Sequence, residues 1–164
     1  MKVGEMSEDE VQSGEILDLG SIVKGSADEK GRLKIPGVFK EYLLSSNDSL
    51  FFITTFDQKT IRIYPRSEWQ RSMTILDGST EPEARRVLFV AKVHGSATTI
   101  DKQGRILMSP ELRKKLGIAS EPVYFEKVMD HVEVYSKKIF DERLAEAEMS
   151  LEADNLRVKQ LGVR

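Results

Sequence analysis

Gly25-Ser-Ala-Asp28-Glu-Lys-Gly31-Arg32-Leu33-Lys34-Ile35-Pro36 is echoed later in the chain by Thr99-Ile100-Asp101-Lys102-Gln103-Gly104-Arg105-Ile106-Leu107-Met108-Ser109-Pro110. Asp, Gly and Arg recur at an offset of 73 residues, and the prolines at an offset of 74. Asp-x-x-Gly-Arg is a pattern for a turn between two strands. Gly supplies the positive φ that a tight turn requires, and Asp can bond its own backbone two residues on. Arg32-Leu33-Lys34-Ile35 alternates polar and apolar, the period of a half-buried strand. Pro36 and Pro110 are expected at the first helical position, where a missing amide costs nothing. The unequal offset then reads as one extra residue before the second helix. Asp28, Gly31, Pro36, Asp101, Gly104 and Pro110 are on this reading turn-forming and structural residues.

The echo continues downstream. Each Pro leads a short amphipathic segment, Val38–Leu44 in one copy and Glu111–Leu116 in the other, the second stopped by Gly117. Two strand-like runs follow in each copy: Leu50–Thr55 and Thr60–Tyr64, then Val123–Lys127 and Val132–Tyr135. Tyr64 and Tyr135 close the matching strands, and Trp69 and Phe140 follow each by five residues. Halves of about 50 residues are too small to be confidently stable alone. They are expected to be two lobes sharing one core, each running strand, turn, strand, short helix, strand, turn, strand.

Between the halves, Ser67 is expected to cap a short helix, and Thr80-Glu-Pro-Glu83 reads as a capping box. Ala84, Val87, Leu88 and Ala91 recur at helical spacing behind it. After the second half, Phe140, Leu144, Ala147 and Leu151 make an amphipathic stripe, with a loose polar tail expected beyond. The organisation predicted is a disordered acidic leader (1–20), a first module (21–66), a helical linker (67–94), a second module (95–137) and a C-terminal amphipathic helix with tail (138–164). The fold class is mixed α+β, mostly β, with a barrel-like core.

Charge is distributed unevenly. Of 25 basic and 27 acidic residues, one and six respectively lie in residues 1–20, giving that leader −5 and leaving +3 on the rest. Such a chain binds nucleic acid only through local patches or through patches multiplied by oligomerisation. It has no cysteine, hence no disulfide framework, thiolate zinc site or thiol nucleophile. His94 and His131 are isolated, without metal-ligand spacing, and no nucleophile elbow or phosphate-binding Gly-rich loop is present. The reading is of a non-enzyme that uses no cofactor or metal. No apolar run reaches the roughly 20 residues of a membrane span, and the start lacks signal-peptide features, so a cytoplasmic location is expected.

The doubled Asp-x-x-Gly-Arg turn, each copy with its following Pro, resembles the AbrB-like swapped-hairpin superfamily, and the tandem arrangement narrows this to the MraZ family. Lys24-Gly25, Tyr64-Pro-Arg-Ser-Glu-Trp69, Glu83-Ala-Arg-Arg-Val-Leu-Phe89 and His94-Gly95-Ser-Ala agree with it, over roughly residues 21–142. The resemblance implies a nucleoid-associated transcriptional regulator of the division and cell-wall gene cluster. It also implies a ring-like homo-oligomer that binds repeated short boxes in duplex DNA. Three features depart from the family pattern: the acidic leader, Lys24 where Arg is common, and Lys40 where Arg is frequent.

The DNA-contacting residues expected are Lys24, Lys30, Arg32 and Lys34 around the first turn, with Lys102 and Arg105 at the second. Arg32 leads, since an arginine there can meet phosphate or a guanine edge. Asp28 is expected to form the turn or orient Arg32. Arg113, Lys114 and Lys115 lie near the second turn, and Arg85 and Arg86 are expected to diverge on their helix. A competing reading makes the protein a scaffold that binds a protein partner through the Phe140, Leu144, Ala147 and Leu151 face.

Overall fold

The computed structural model describes residues 19–118 and 122–164. The expected leader lies outside the described residues up to position 18. Strand β1 (Val23–Ala27) turns into β2 (Arg32–Lys34), which leads to helix α1 (Gly37–Leu44) and the hairpin β3 (Phe51–Thr54) and β4 (Ile61–Pro65). Helices α2 (Arg66–Asp77) and α3 (Pro82–His94) then cross to the second copy. That copy repeats the series as β5 (Ser96–Thr98), β6 (Arg105–Leu107), α4 (Pro110–Leu116), β7 (Pro122–Val128) and β8 (His131–Ser136). It ends in α5 (Lys137–Glu148) and α6 (Leu151–Lys159).

All these strands join one antiparallel sheet in the order β5-β3-β4-β8-β7-β1-β2-β6. The halves are interleaved: β1 of the first pairs with β7 of the second, and β5 of the second pairs with β3 of the first. β2 and β6 lie side by side, Leu33 opposite Ile106. On the far side of the sheet β4 meets β8, Arg62 opposite Glu133. Both pairings are centred on equivalent residues, so an approximate two-fold axis passes through them. The sheet curls almost shut, its two end strands joined by the Thr98 hydroxyl donating to the Leu107 carbonyl at 3.3 Å. The result is two swapped-hairpin modules around a shared barrel-like core.

Alternation explains the core. Leu33, Ile35, Ile106 and Met108 point inward from the paired hairpins and are buried, as are Ile61, Ile63, Val132 and Val134 from the opposite strands. Phe39 and Leu112, one from each short helix, close the ends and are fully buried. A smaller cluster of Tyr64, Trp69, Leu88 and Ala91 holds α2 and α3 to the outer face of β3 and β4. There Phe52 stacks on Trp69 at 4.3 Å between centroids, and the second module repeats the contact as Tyr124 on Phe140 at 4.0 Å. The Tyr-x4-aromatic spacing seen in sequence is therefore a packing rule: an aromatic on the first helical turn covers one on the sheet.

Several local expectations are corrected. Pro36 is the N-cap of α1 rather than its first residue, and Gly37 begins the helix where Pro110 begins α4, 73 positions on. The helices are therefore in register, and no residue is inserted before the second. Pro36 replaces Ser109, whose hydroxyl caps α4 by accepting from the Leu112 amide at 3.1 Å. Ser67 lies inside the first turn of α2, and the capping oxygen comes from Asp48, which accepts from the Ser67 amide at 3.2 Å and its hydroxyl at 2.9 Å. Glu81, not Thr80, is the N-cap of α3, and no side-chain cap bond forms there. The tail expected to be loose contains α6, and Leu151 opens that helix rather than continuing the stripe of α5.

Candidate nucleic-acid interface

Each Asp-x-x-Gly-Arg turn is built from the same bonds. The Asp28 amide donates to the Arg32 carbonyl at 2.9 Å and the Gly31 amide to the Asp28 carbonyl at 3.1 Å; Asp101, Arg105 and Gly104 repeat both at 3.0 Å. Gly31 and Gly104 have φ of 80° and 73°, the left-handed region that a side chain opposes. The Asp28 carboxylate accepts from the Lys30 amide at 3.0 Å, the Arg32 amide at 2.9 Å and Arg32 Nε at 2.6 Å. Asp101 accepts from Gln103, Arg105 and Arg105 Nε at 2.8, 2.9 and 2.9 Å. The Arg32 amide, aided by its guanidinium and the Lys30 amide, holds the Asp28 carboxyl below the usual carboxylate range. The Arg105 amide leads the same effect at Asp101.

The consequence for the arginines is geometric. Each is fixed through Nε, and among the described residues its terminal nitrogens have no acceptor. A guanidinium held this way presents its two outer N–H groups as a fork, the geometry that grips phosphate or the O6/N7 edge of guanine. Both side chains are only about a third exposed, at 30% and 27%, so they are oriented rather than waving in solvent.

Strand pairing collects the predicted residues. Arg32 lies opposite Leu107 and Lys34 opposite Arg105, so all four project from the outer face while Leu33 and Ile106 point into the barrel. Backbone bonds from Ile35 to Gly104 and from Met108 to Gly31, at 3.0 and 2.8 Å, extend the pairing so that each turn glycine abuts the other hairpin. The two turns thus sit at opposite ends of one ribbon, with Lys30 at one and Lys102 at the other. Lys24 is not brought to this ribbon. It pairs with Tyr124 on the β7 side of β1.

Two cations that the sequence placed near the turns only as charge, Lys40 and Arg113, join the site. Arg113 on α4 lies against Gly31, its Cδ 3.1 Å from where a Cβ would stand, and Lys40 on α1 lies equivalently against Gly104, at 3.7 Å. They are 73 residues apart. Each helix therefore sends a cation over the turn of the opposite hairpin. Lys34 also leans to that second turn, donating to the Gln103 carbonyl. The sequence signal was the equivalence of Lys40 and Arg113 in the two copies; that each overlies the opposite turn was not legible. Among the described residues Arg86 makes only a long, exposed 3.9 Å pair with Glu83 on its own helix. Phe51, Tyr64, Trp69, Phe125 and Tyr135 are buried, and Phe52 and Phe56 are partly buried against Trp69, so these aromatics pack the fold and are not surfaces for stacking bases.

Comparison with known proteins places the chain among named relatives. The family model of the MraZ protein, described as antitoxin-like, matches residues 93–161. A protein of Acidobacterium capsulatum named transcriptional regulator MraZ is 32% identical over 119 residues, covering 71% of this chain and 81% of the relative. One of Desulforamulus reducens with the same name is 34% identical over 133 residues, covering 79% and 90%. A third, from Koribacter versatilis, is 34% identical over 97 residues, covering 57% and 66%.

Proposed function

The chain belongs to the MraZ family of transcriptional regulators, and we propose that it regulates by binding specific duplex DNA through the outer face of β2 and β6. One observation carries this reading: two Asp-anchored arginines, whose terminal nitrogens have no acceptor among the described residues, stand on one ribbon flanked by Lys30, Lys34, Lys40 and Arg113. Arg32 and Arg105 are the base-reading pair in this proposal. The lysines and Arg113 meet phosphates, which position the protein without reading sequence. Because the two turns are parts of one surface, both modules engage the duplex together.

The target proposed is the division and cell-wall gene cluster, bound at repeated short boxes by a ring-like homo-oligomer. Repetition offsets the modest charge of one chain, since linked sites gain from effective concentration. Helix α3 leaves Phe89 69% and Val93 52% exposed one turn apart, a surface suited to a subunit contact. Among the described residues no helix is long and apolar enough to cross a membrane. A cytoplasmic, nucleoid-associated protein is part of the same proposal.

Fluorescence anisotropy with the gene's own upstream duplex and a shuffled control, at two salt concentrations, tests it. Intact protein should prefer the native duplex, and Arg32→Ala or Arg105→Ala should abolish the preference. Equal binding to both duplexes, or none to either, would reject the reading and turn attention to a protein partner of the α5 face.

A further inference from the structure

The ribbon is two-fold in backbone but not in side chains. Arg32 and Arg105 match across the axis, whereas the equivalent of Lys34 is Leu107. Leu107 is 55% exposed, although its neighbours Ile106 and Met108 are buried in the core. Alternation accounts for this: Leu107 points outward, directly opposite Arg32. It contributes nothing to the barrel interior. With Met108 and Pro110 it forms the apolar floor of an open groove of about 480 Å3, bordered by Lys30, Arg113 and Lys114.

An apolar floor between cations has a clear match on duplex DNA. The major groove offers donors, acceptors and one apolar group, the C5-methyl of thymine. We infer that Leu107 is a specificity residue that contacts a thymine methyl, whereas Lys34, at the equivalent place in the other half, meets a phosphate. This deepens the DNA-binding reading above and rests on it. Residues opposite each other on paired strands stand about 5 Å apart, against a base-pair rise of about 3.4 Å, so the thymine lies within about two base pairs of the one read by Arg32. Thymine is therefore required at this position in one half of the bound box only.

Deoxyuridine lacks only that methyl, which makes it the probe. The upstream duplex is prepared with each thymine in turn replaced by deoxyuridine and bound to intact protein, Leu107→Ala and Leu107→Met. Intact protein and Leu107→Met should weaken by about four-fold at one thymine per bound chain, the worth of one buried methyl. Leu107→Ala should bind both forms of the duplex alike at that thymine and keep its assembly size. If the native duplex still beats the shuffled one but no thymine matters, or Leu107→Ala stays equally sensitive, Leu107 does not read the methyl. A Leu107→Ala protein of altered assembly size places the residue at a subunit contact and overturns the inference too. Absence of any preference for the native duplex overturns the DNA-binding reading itself.

Discussion

Arg32 Nε donates to Asp28 Oδ2 at 2.6 Å, a side-chain bond made within the very turn that creates the hairpin. The same carboxylate accepts from two backbone amides through its other oxygen, so one side chain sets both turn geometry and guanidinium orientation. Asp28→Asn can keep the amide bonds through its one carbonyl oxygen, but it sets an NH2 group against Arg32 Nε and so removes the bond that aims Arg32. Its expected effect is a fall of about ten-fold in preference for the native duplex over a shuffled one, with binding to shuffled DNA little changed. Arg32→Ala should abolish the preference altogether and leave the salt slope little changed, because Arg32 reads a base and not a phosphate. Anisotropy titrations across salt check both expectations.

Backbone conformation gives a second expectation. Gly31 has φ +80°, and Gly117, which ends α4, has φ +64° with open space around it. Gly31→Ala and Gly117→Ala should each cost roughly 1–2 kcal/mol, a fall in Tm of roughly 2–8 °C by thermal melts. Only Gly31→Ala should also impair DNA binding, because its Cβ presses on Arg113. Gly25→Ala differs from both: its Cβ would meet the ring of Phe125, which is fully buried between β7 and α1. Overpacking there should cost about 1–3 kcal/mol with the DNA preference of the folded protein retained.

The repeat made most of this fold readable, because turns, strand alternation and helix starts are local properties. Partner choice was not. Val23–Ala27 and Pro122–Val128 each carry a strand pattern, but nothing local in either says that they pair with each other across the halves. The caps at Asp48 and Pro36 escaped for a similar reason. Asp48 acts 19 residues from Ser67, and the proline offset invited an insertion where a cap residue had simply been exchanged. At the site, Asp28, Arg32, Asp101 and Arg105 were legible as motif members. Lys40 and Arg113 were visible as charge but not as contacts, because each acts on the turn of the opposite hairpin.

Acid should affect the protein in two separable ranges. His131 is buried against the Tyr64 ring at 4.8 Å, with Asp130 at 3.0 Å, Glu133 at 3.9 Å and Arg62 nearby. Burial lowers its pKa below 6.5, outweighing the two carboxylates. The unfolded chain therefore takes up this proton first, and the stability present above 6.5 declines as pH falls toward the lowered folded value. Thermal melts from about pH 7.5 to about 5.5 should show a falling Tm, with a smaller fall in His131→Phe. Asp28 and Asp101, also lowered, hold their contribution above the ordinary carboxylate value of 3.8 and lose it only below that. Loss of DNA preference near pH 5.5 with an unchanged Tm would contradict this assignment.

Cross-hairpin contact makes the last expectation. Arg113 belongs to the second module yet overlies the first turn, and Lys40 does the reverse, so neither side chain serves only its own half. If both are phosphate contacts, Arg113→Ala and Lys40→Ala should weaken native and shuffled duplexes by the same factor. Each should also reduce the salt slope by about 0.9, the counterion released per phosphate neutralised. The double variant should add the two effects, since the residues sit at opposite ends of the ribbon with no shared partner. A selective loss of the native duplex in Arg113→Ala would instead mean that the guanidinium reaches a base edge. Lys40→Arg offers the converse check. It restores two-fold symmetry at this pair, and if the contact is to phosphate alone it should leave the sequence preference where it was.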